Sequence, residues 1–159
     1  MSVTTGPSTN HADPTARPAP STPPPVPIVI SETSARVLAV LGIAAIAVIH
    51  ILDAVGTFSD SRYIFWLYMA IVIGAVPISM LLLHWPSPLA WLGVAALAVG
   101  PLLGYLLTRT VGLPGDSADI GNWLDTLGLA SLFAETGVLS LALTRLVVAR
   151  HPRLLAVSH

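Results

Sequence analysis

The sequence predicts an all-α chain, a four-helix transmembrane bundle of up-down-up-down order behind a disordered N-terminal tail. Three observations predict it. Only 9% of the residues are charged while 54% are hydrophobic, whereas a water-soluble domain carries about 25% charged residues to cover its outside. Four long apolar stretches follow one another from residue 34 onward, each near the roughly 20 residues that cross a hydrocarbon core about 30 Å thick. The first two connections between them, Ser59-Asp60-Ser61 and Trp85-Pro86-Ser87-Pro88, are so short that the helices they join must be antiparallel neighbours.

The first 33 residues stand apart. They hold eight of the fourteen prolines, including Pro23-Pro24-Pro25, among Ser, Thr and Ala. Such a segment buries too little apolar surface to offset the entropy of ordering, which predicts a disordered, partly polyproline II tail over 1–33. It lacks the basic stretch followed by an apolar one that marks a secretory signal. Residues 34–159 form the transmembrane domain.

The first span, about 34–58, contains His50 and Asp53 in an otherwise aliphatic run, and the hydroxyls of Ser31, Thr33 and Ser34 offer a cap for its start. The second, about 62–84, holds 21 uncharged positions from Tyr63 to Leu83. The third, about 87–109, holds 23 from Pro86 to Thr108. The fourth, about 122–149, has Glu135 as the one charge among the 19 residues between Asp125 and Arg145. Trp85, Trp91 and Trp123 sit near span ends, where indole rings favour the headgroup zone. Arg36, Arg145, Arg150 and Arg153 lie on the side of both termini, against Arg62 and Arg109 on the other. That asymmetry predicts cytoplasmic termini.

Several function classes are excluded. The formal net charge is −1 and there is no lysine, so no basic face exists to hold nucleic acid. With no cysteine, disulfides, thiolate metal sites and cysteine nucleophiles are impossible. No phosphate loop, G-x-S-x-G, H-E-x-x-H or kinase motif occurs. The sequence therefore names no catalytic residue and no cofactor, and an enzyme is not the favoured reading.

Helix packing is expected at small residues. Gly100 and Gly104 lie one turn apart on the third span, and Gly128 and Ser131 lie on one side of the fourth with Glu135 and Ala142. In lipid such positions let helices approach closely, either within the bundle or in a homo-oligomer or larger membrane complex. Pro77 and Pro101 lie inside helices 2 and 3, where neighbouring helices can satisfy the freed carbonyls.

The chemistry-bearing candidates are ionisable residues inside the spans, which are costly there and face the bundle interior. His50 and Asp53 share one face of helix 1, and Glu135 lies ten residues after Asp125 just as His50 lies ten before Asp60. At about 1.5 Å per residue both are roughly 15 Å below the same surface, so His50, Asp53 and Glu135 converge if helices 1 and 4 touch. Three uses remain open: a metal site of imidazole and carboxylates, a proton relay, or mutual satisfaction without function. His84, beside Trp85, reads as an interfacial residue. Arg109 at the end of helix 3 is expected to pair with Asp116, Asp119 or Asp125 and close the third loop, with turns at Gly112, Pro114 and Gly115.

The segment Thr108-Arg109-Thr110-Val111-Gly112-Leu113-Pro114-Gly115, with Asp119-Ile120-Gly121-Asn122-Trp123 and Leu127-Gly128-Leu129-Ala130-Ser131-Leu132, resembles a signature of small bacterial four-span integral membrane proteins of uncharacterised function. The resemblance covers the end of helix 3 through helix 4 and, more loosely, the four-helix core. It implies a bacterial cytoplasmic membrane and carries no activity. The favoured reading is a structural or accessory membrane subunit; the alternative is a bundle with an intramembrane His/carboxylate site that binds a metal ion or relays protons.

Overall fold

The computed structural model describes residues 30–150. The expected tail up to residue 29, and Arg153 with the rest of 151–159, lie outside the described residues. Four helices make up the fold: α1 (Glu32–Thr57), α2 (Arg62–His84), α3 (Pro88–Thr110) and α4 (Thr126–Arg150). Each is long and apolar enough to cross a membrane.

Capping chemistry sets the helix starts. Ser31 accepts a hydrogen bond from the Ser34 amide at 3.1 Å, and Glu32 sits in the first turn, where a negative charge meets the free N–H groups. Helix α1 therefore begins two residues before the expected position 34. Ser87 caps α3 through the Ala90 amide at 3.2 Å, with Pro88 in the first turn, where its missing N–H costs nothing. The fourth helix begins at Thr126 rather than near 122. Asp125 Oδ2 accepts from the Gly128 amide at 2.7 Å, and Gly121, at φ +81°, keeps the preceding chain out of the helix. Helices α2 and α3 run unbroken through Pro77 and Pro101.

The long connection is a structured loop. Leu113 and Asp116 exchange backbone hydrogen bonds of 2.8 Å around Pro114-Gly115. Pro114 supplies the fixed φ and Gly115, at φ +76°, the left-handed position of a type II turn. The Gly121 amide donates to the Arg109 carbonyl at 2.9 Å, which returns the loop to the end of α3.

Helix α1 packs between α2 and α4, and α3 packs on α4 and α2. The start of α1 meets the ends of both its neighbours. Arg36 donates to the Leu83 carbonyl at 3.5 Å, while Arg145 forms an ion pair with Glu32 and donates to the Ile30 carbonyl at 3.3 Å. At the other end, the Tyr63 hydroxyl donates to the Pro114 carbonyl at 2.7 Å.

The interior is divided along its length. The half that contains the start of α1 holds the apolar core, built from residues such as Ala39, Ile43, Leu82, Val94, Ala98 and Ala142. The buried polar residues His50, Arg109, Ser131 and Glu135 all lie in the other half. Large apolar side chains cover the outside, with Val55 75% and Phe133 85% exposed.

Close helix approach falls at Gly42 and Gly128. A Cβ on Gly42 would overlap Val138 Cγ2, a stiff β-branched side chain across the α1–α4 contact. At Gly128 a Cβ would lie 2.7 Å from Tyr105 Cε2, so this glycine sets the α3–α4 contact. Among the described residues nothing stands within 4 Å of a Cβ at Gly100 or Gly104, so neither sets a helix contact there. Gly42→Ala is expected to destabilise the bundle by about 1–2 kcal/mol, because overpacking outweighs the gain in helix propensity. Gly100→Ala is expected to be neutral or stabilising by up to about 1 kcal/mol. Reversible unfolding in mixed micelles measures both.

Candidate functional site

His50 and Glu135 meet across the α1–α4 contact, with His50 Nε2 3.8 Å from Glu135 Oε1. Both are buried, at 4% and 1% exposure. Each belongs to the inward stripe of its helix: Ile43, Ile46, His50 and Ala54 on α1, and Gly128, Ser131, Glu135 and Val138 on α4.

Hydrogen bonding fixes where protons can sit. His50 Nδ1 lies 2.9 Å from the Ile46 carbonyl one turn back. A carbonyl only accepts, so Nδ1 carries a proton in the neutral and the charged ring alike. The exchangeable site on the ring is Nε2, which faces Glu135. An unprotonated Nε2 lone pair and an ionised carboxylate would repel, so the pair is stable with one proton, on Nε2 or on the carboxyl group. The Ser131 hydroxyl donates a short hydrogen bond to Glu135 Oε1. Among the described residues Glu135 Oε2, although buried, has no hydrogen-bond partner. The Tyr68 ring and the imidazole form a T-shaped pair with 5.4 Å between centroids.

The pair lies at the base of a cavity of about 520 Å³ that reaches from mid-helix to the α3–α4 loop. Asp53 and Thr57 line it from α1, Gly128, Ser131 and Glu135 from α4, and Gly100, Pro101 and Gly104 from α3. The missing side chains at Gly100 and Gly104 are therefore what keeps this space open. Asp53 is half-buried one turn beyond His50, and its backbone carbonyl accepts from Thr57 Oγ1 at 2.9 Å.

Arg109 closes the loop end of the cavity. Its NH1 lies 2.7 Å from Asp119 Oδ2, at an angle that makes an ion pair and no hydrogen bond, and its NH2 lies 3.7 Å from Asp125 Oδ2. The guanidinium also stacks on Tyr105 at 5.0 Å from the ring centroid. Asp116 stays out of this group and accepts instead from the Ala118 amide at 3.3 Å.

The structure thus brings His50 and Glu135 together, adds Asp53 on the same cavity wall, and joins Arg109 to two of three candidate aspartates. Among the described residues, no group of three or more His, Asp and Glu is arranged to hold a metal ion. His84 lies exposed at the far end of α2, its Nδ1 2.9 Å from the Met80 carbonyl. Sequence reasoning passed over Tyr68 and Tyr105. Tyr105 is four residues before Arg109, the helical spacing at which two side chains meet, whereas Tyr68 gives no signal within an uncharged run. No protein-family model, no curated protein and no solved structure matches the chain.

Arg109→Gln is expected to loosen the loop 111–124 by about 1–2 kcal/mol of local opening free energy, the half-exposed aspartates limiting the effect through solvent screening. Hydrogen–deuterium exchange should quicken in that loop and stay unchanged at the start of α1.

Proposed function

We propose that the chain is an integral membrane protein that takes up a proton or a small polar solute at an intramembrane site formed by His50 and Glu135. The observation that carries this reading is Glu135, which is 1% exposed, lines the cavity and leaves Oε2 without a hydrogen-bond partner among the described residues. A carboxyl group in hydrocarbon costs several kcal/mol unless something satisfies it, and retention of one with an unfilled acceptor favours a group that receives a partner in use.

The apolar exterior supports residence in the bilayer, since a monomer in water rarely exposes a continuous surface of this kind. Alternating up-down-up-down passage fits the contacts of the α1 start with the ends of α2 and α4. The arginine asymmetry favours cytoplasmic termini, so the cavity mouth at the α3–α4 loop faces away from the cytoplasm. The sequence resemblance favours a bacterial cytoplasmic membrane. The apolar half below the pair offers no polar path onward, which favours binding and release through one mouth over passage across the membrane.

A second reading, a structural or accessory subunit in a homo-oligomer or larger complex, is favoured by connections of only a few residues at 58–61 and 85–87. The two readings separate at Glu135. Infrared spectra are expected to contain a protonated-carboxyl band that Glu135→Gln removes, that shifts in D2O and that varies between mildly acid and mildly alkaline medium. A Glu135 band that ignores both solvent and pH would leave the subunit reading in place.

A further inference from the structure

The cavity presents hydrogen-bond acceptors almost throughout. Four of its donor groups already donate into the protein: His50 Nδ1 to Ile46, Thr57 to Asp53, Thr108 to Tyr105, and Ser131 to Glu135. The Tyr105 hydroxyl donates to the Trp123 carbonyl at 2.9 Å. Arg109 is the one cation in the lining and is held by Asp119 and Asp125 at the mouth. The chemistry-bearing residues that line the space at depth are Glu135, Asp53 and His50.

The walls differ in character. Polar groups come from α1 and α4, while α2 contributes Ile64, Leu67, Ala70 and Ile71 beside Tyr68. At depth an anion would meet the carboxyl groups of Glu135 and Asp53, while the unbonded donors of Arg109 lie at the mouth beside Asp119 and Asp125; a purely apolar molecule would strand the carboxyl groups. An ammonium group has three donors and no acceptor, which suits the paired His50 and Glu135 with Asp53 on the same wall, and an attached hydrocarbon matches the α2 wall. Tyr68 adds a ring with a negative face that attracts cations. The volume, about 520 Å³, falls within the roughly 300–1,000 Å³ of small-molecule sites.

From this complementarity, and resting on the accessible cavity proposed above, we infer that the cavity binds an amphipathic protonated amine, its ammonium group between Glu135, His50 and Asp53 and its apolar part along α2. Binding exchanges a cation for a proton. The resting His50–Glu135 pair holds one proton; the arriving ammonium needs Glu135 ionised and His50 neutral, so that proton leaves to the medium and the net charge of the site is unchanged. The other groups facing the pair are Asp53 on α1, Tyr68 on α2, Tyr105 and Arg109 on α3, and Asp119 and Asp125 in the loop. Of these the arginine is already neutralised by its aspartates.

The test is calorimetric titration of the purified full chain in nanodiscs with phenethylamine, beside its uncharged isostere 2-phenylethanol and zinc chloride. Expected are saturable binding of the amine alone, and release of about one proton per amine, read from the heats in two buffers of different ionisation enthalpy. Glu135→Gln should weaken binding about 10- to 100-fold, the loss of a charge-assisted contact. Gly104→Leu, which fills the cavity and leaves every carboxylate in place, should block phenethylamine. Equal heats for amine and alcohol, or saturation by zinc with the amine excluded, would overturn the inference. If the amine fails while the Glu135 band still follows pH and D2O, the accessible site stands and the amine assignment falls. If neither responds, both fall.

Discussion

A carboxyl group buried among helices that turn hydrocarbon outward has to find its solvation inside the protein. Glu135 sits in that position, and much of the bundle follows from it. Its helix, α4, must turn one stripe inward over its whole length; α1 must meet that stripe with His50 at the same depth; and Ser131 one turn earlier must spend its hydroxyl on the carboxyl group. Outside water cannot perform this service in a bilayer core, so the polar groups face one another or a cavity.

The division of the interior into two halves gives that constraint its functional meaning. Below the pair, alanines and aliphatic side chains of all four helices pack tightly, and Gly42 against Val138 brings α1 and α4 as near as backbones allow. Above it, α2 and α3 leave space where two glycines and a proline carry little side-chain bulk. The result is a pocket with a dry floor and a charged rim. Arg109 and its two aspartates hold that rim by tying the loop to the end of α3, and the type II turn at Pro114-Gly115 meets Tyr63 of α2 across it. On the proposed function, a pocket of this form would receive and return a ligand at one surface, unlike a pore.

Hydropathy and loop length made the four helices legible in the sequence, since a chain with so little charge leaves few other ways to satisfy its backbone. The common depth of His50 and Glu135 follows from the rise per residue and from antiparallel helices alone, both properties of any such bundle. Side-chain direction was beyond that reasoning. Whether Gly100 and Gly104 touch a helix or a void depends on how α2 and α3 splay, which small residues alone do not determine. The start of α4 was misplaced for a similar reason: Asn122, Trp123 and Leu124 suit a helix by composition, but the Asp125 side chain captures the Gly128 amide and starts it later. Arg109 had three aspartates within reach, and the backbone turn that occupies Asp116 decided between them.

The central claim is that water reaches the His50–Glu135 level from one face only. The chain has no cysteine, so single cysteines report without background. A charged thiol reagent applied to either side of a sealed proteoliposome is expected to modify Gly104→Cys from the face of the α3–α4 loop alone and to leave Ala39→Cys untouched from both. Modification of Ala39→Cys, or reaction of Gly104→Cys from the opposite face, would contradict a one-mouthed cavity and the function built on it.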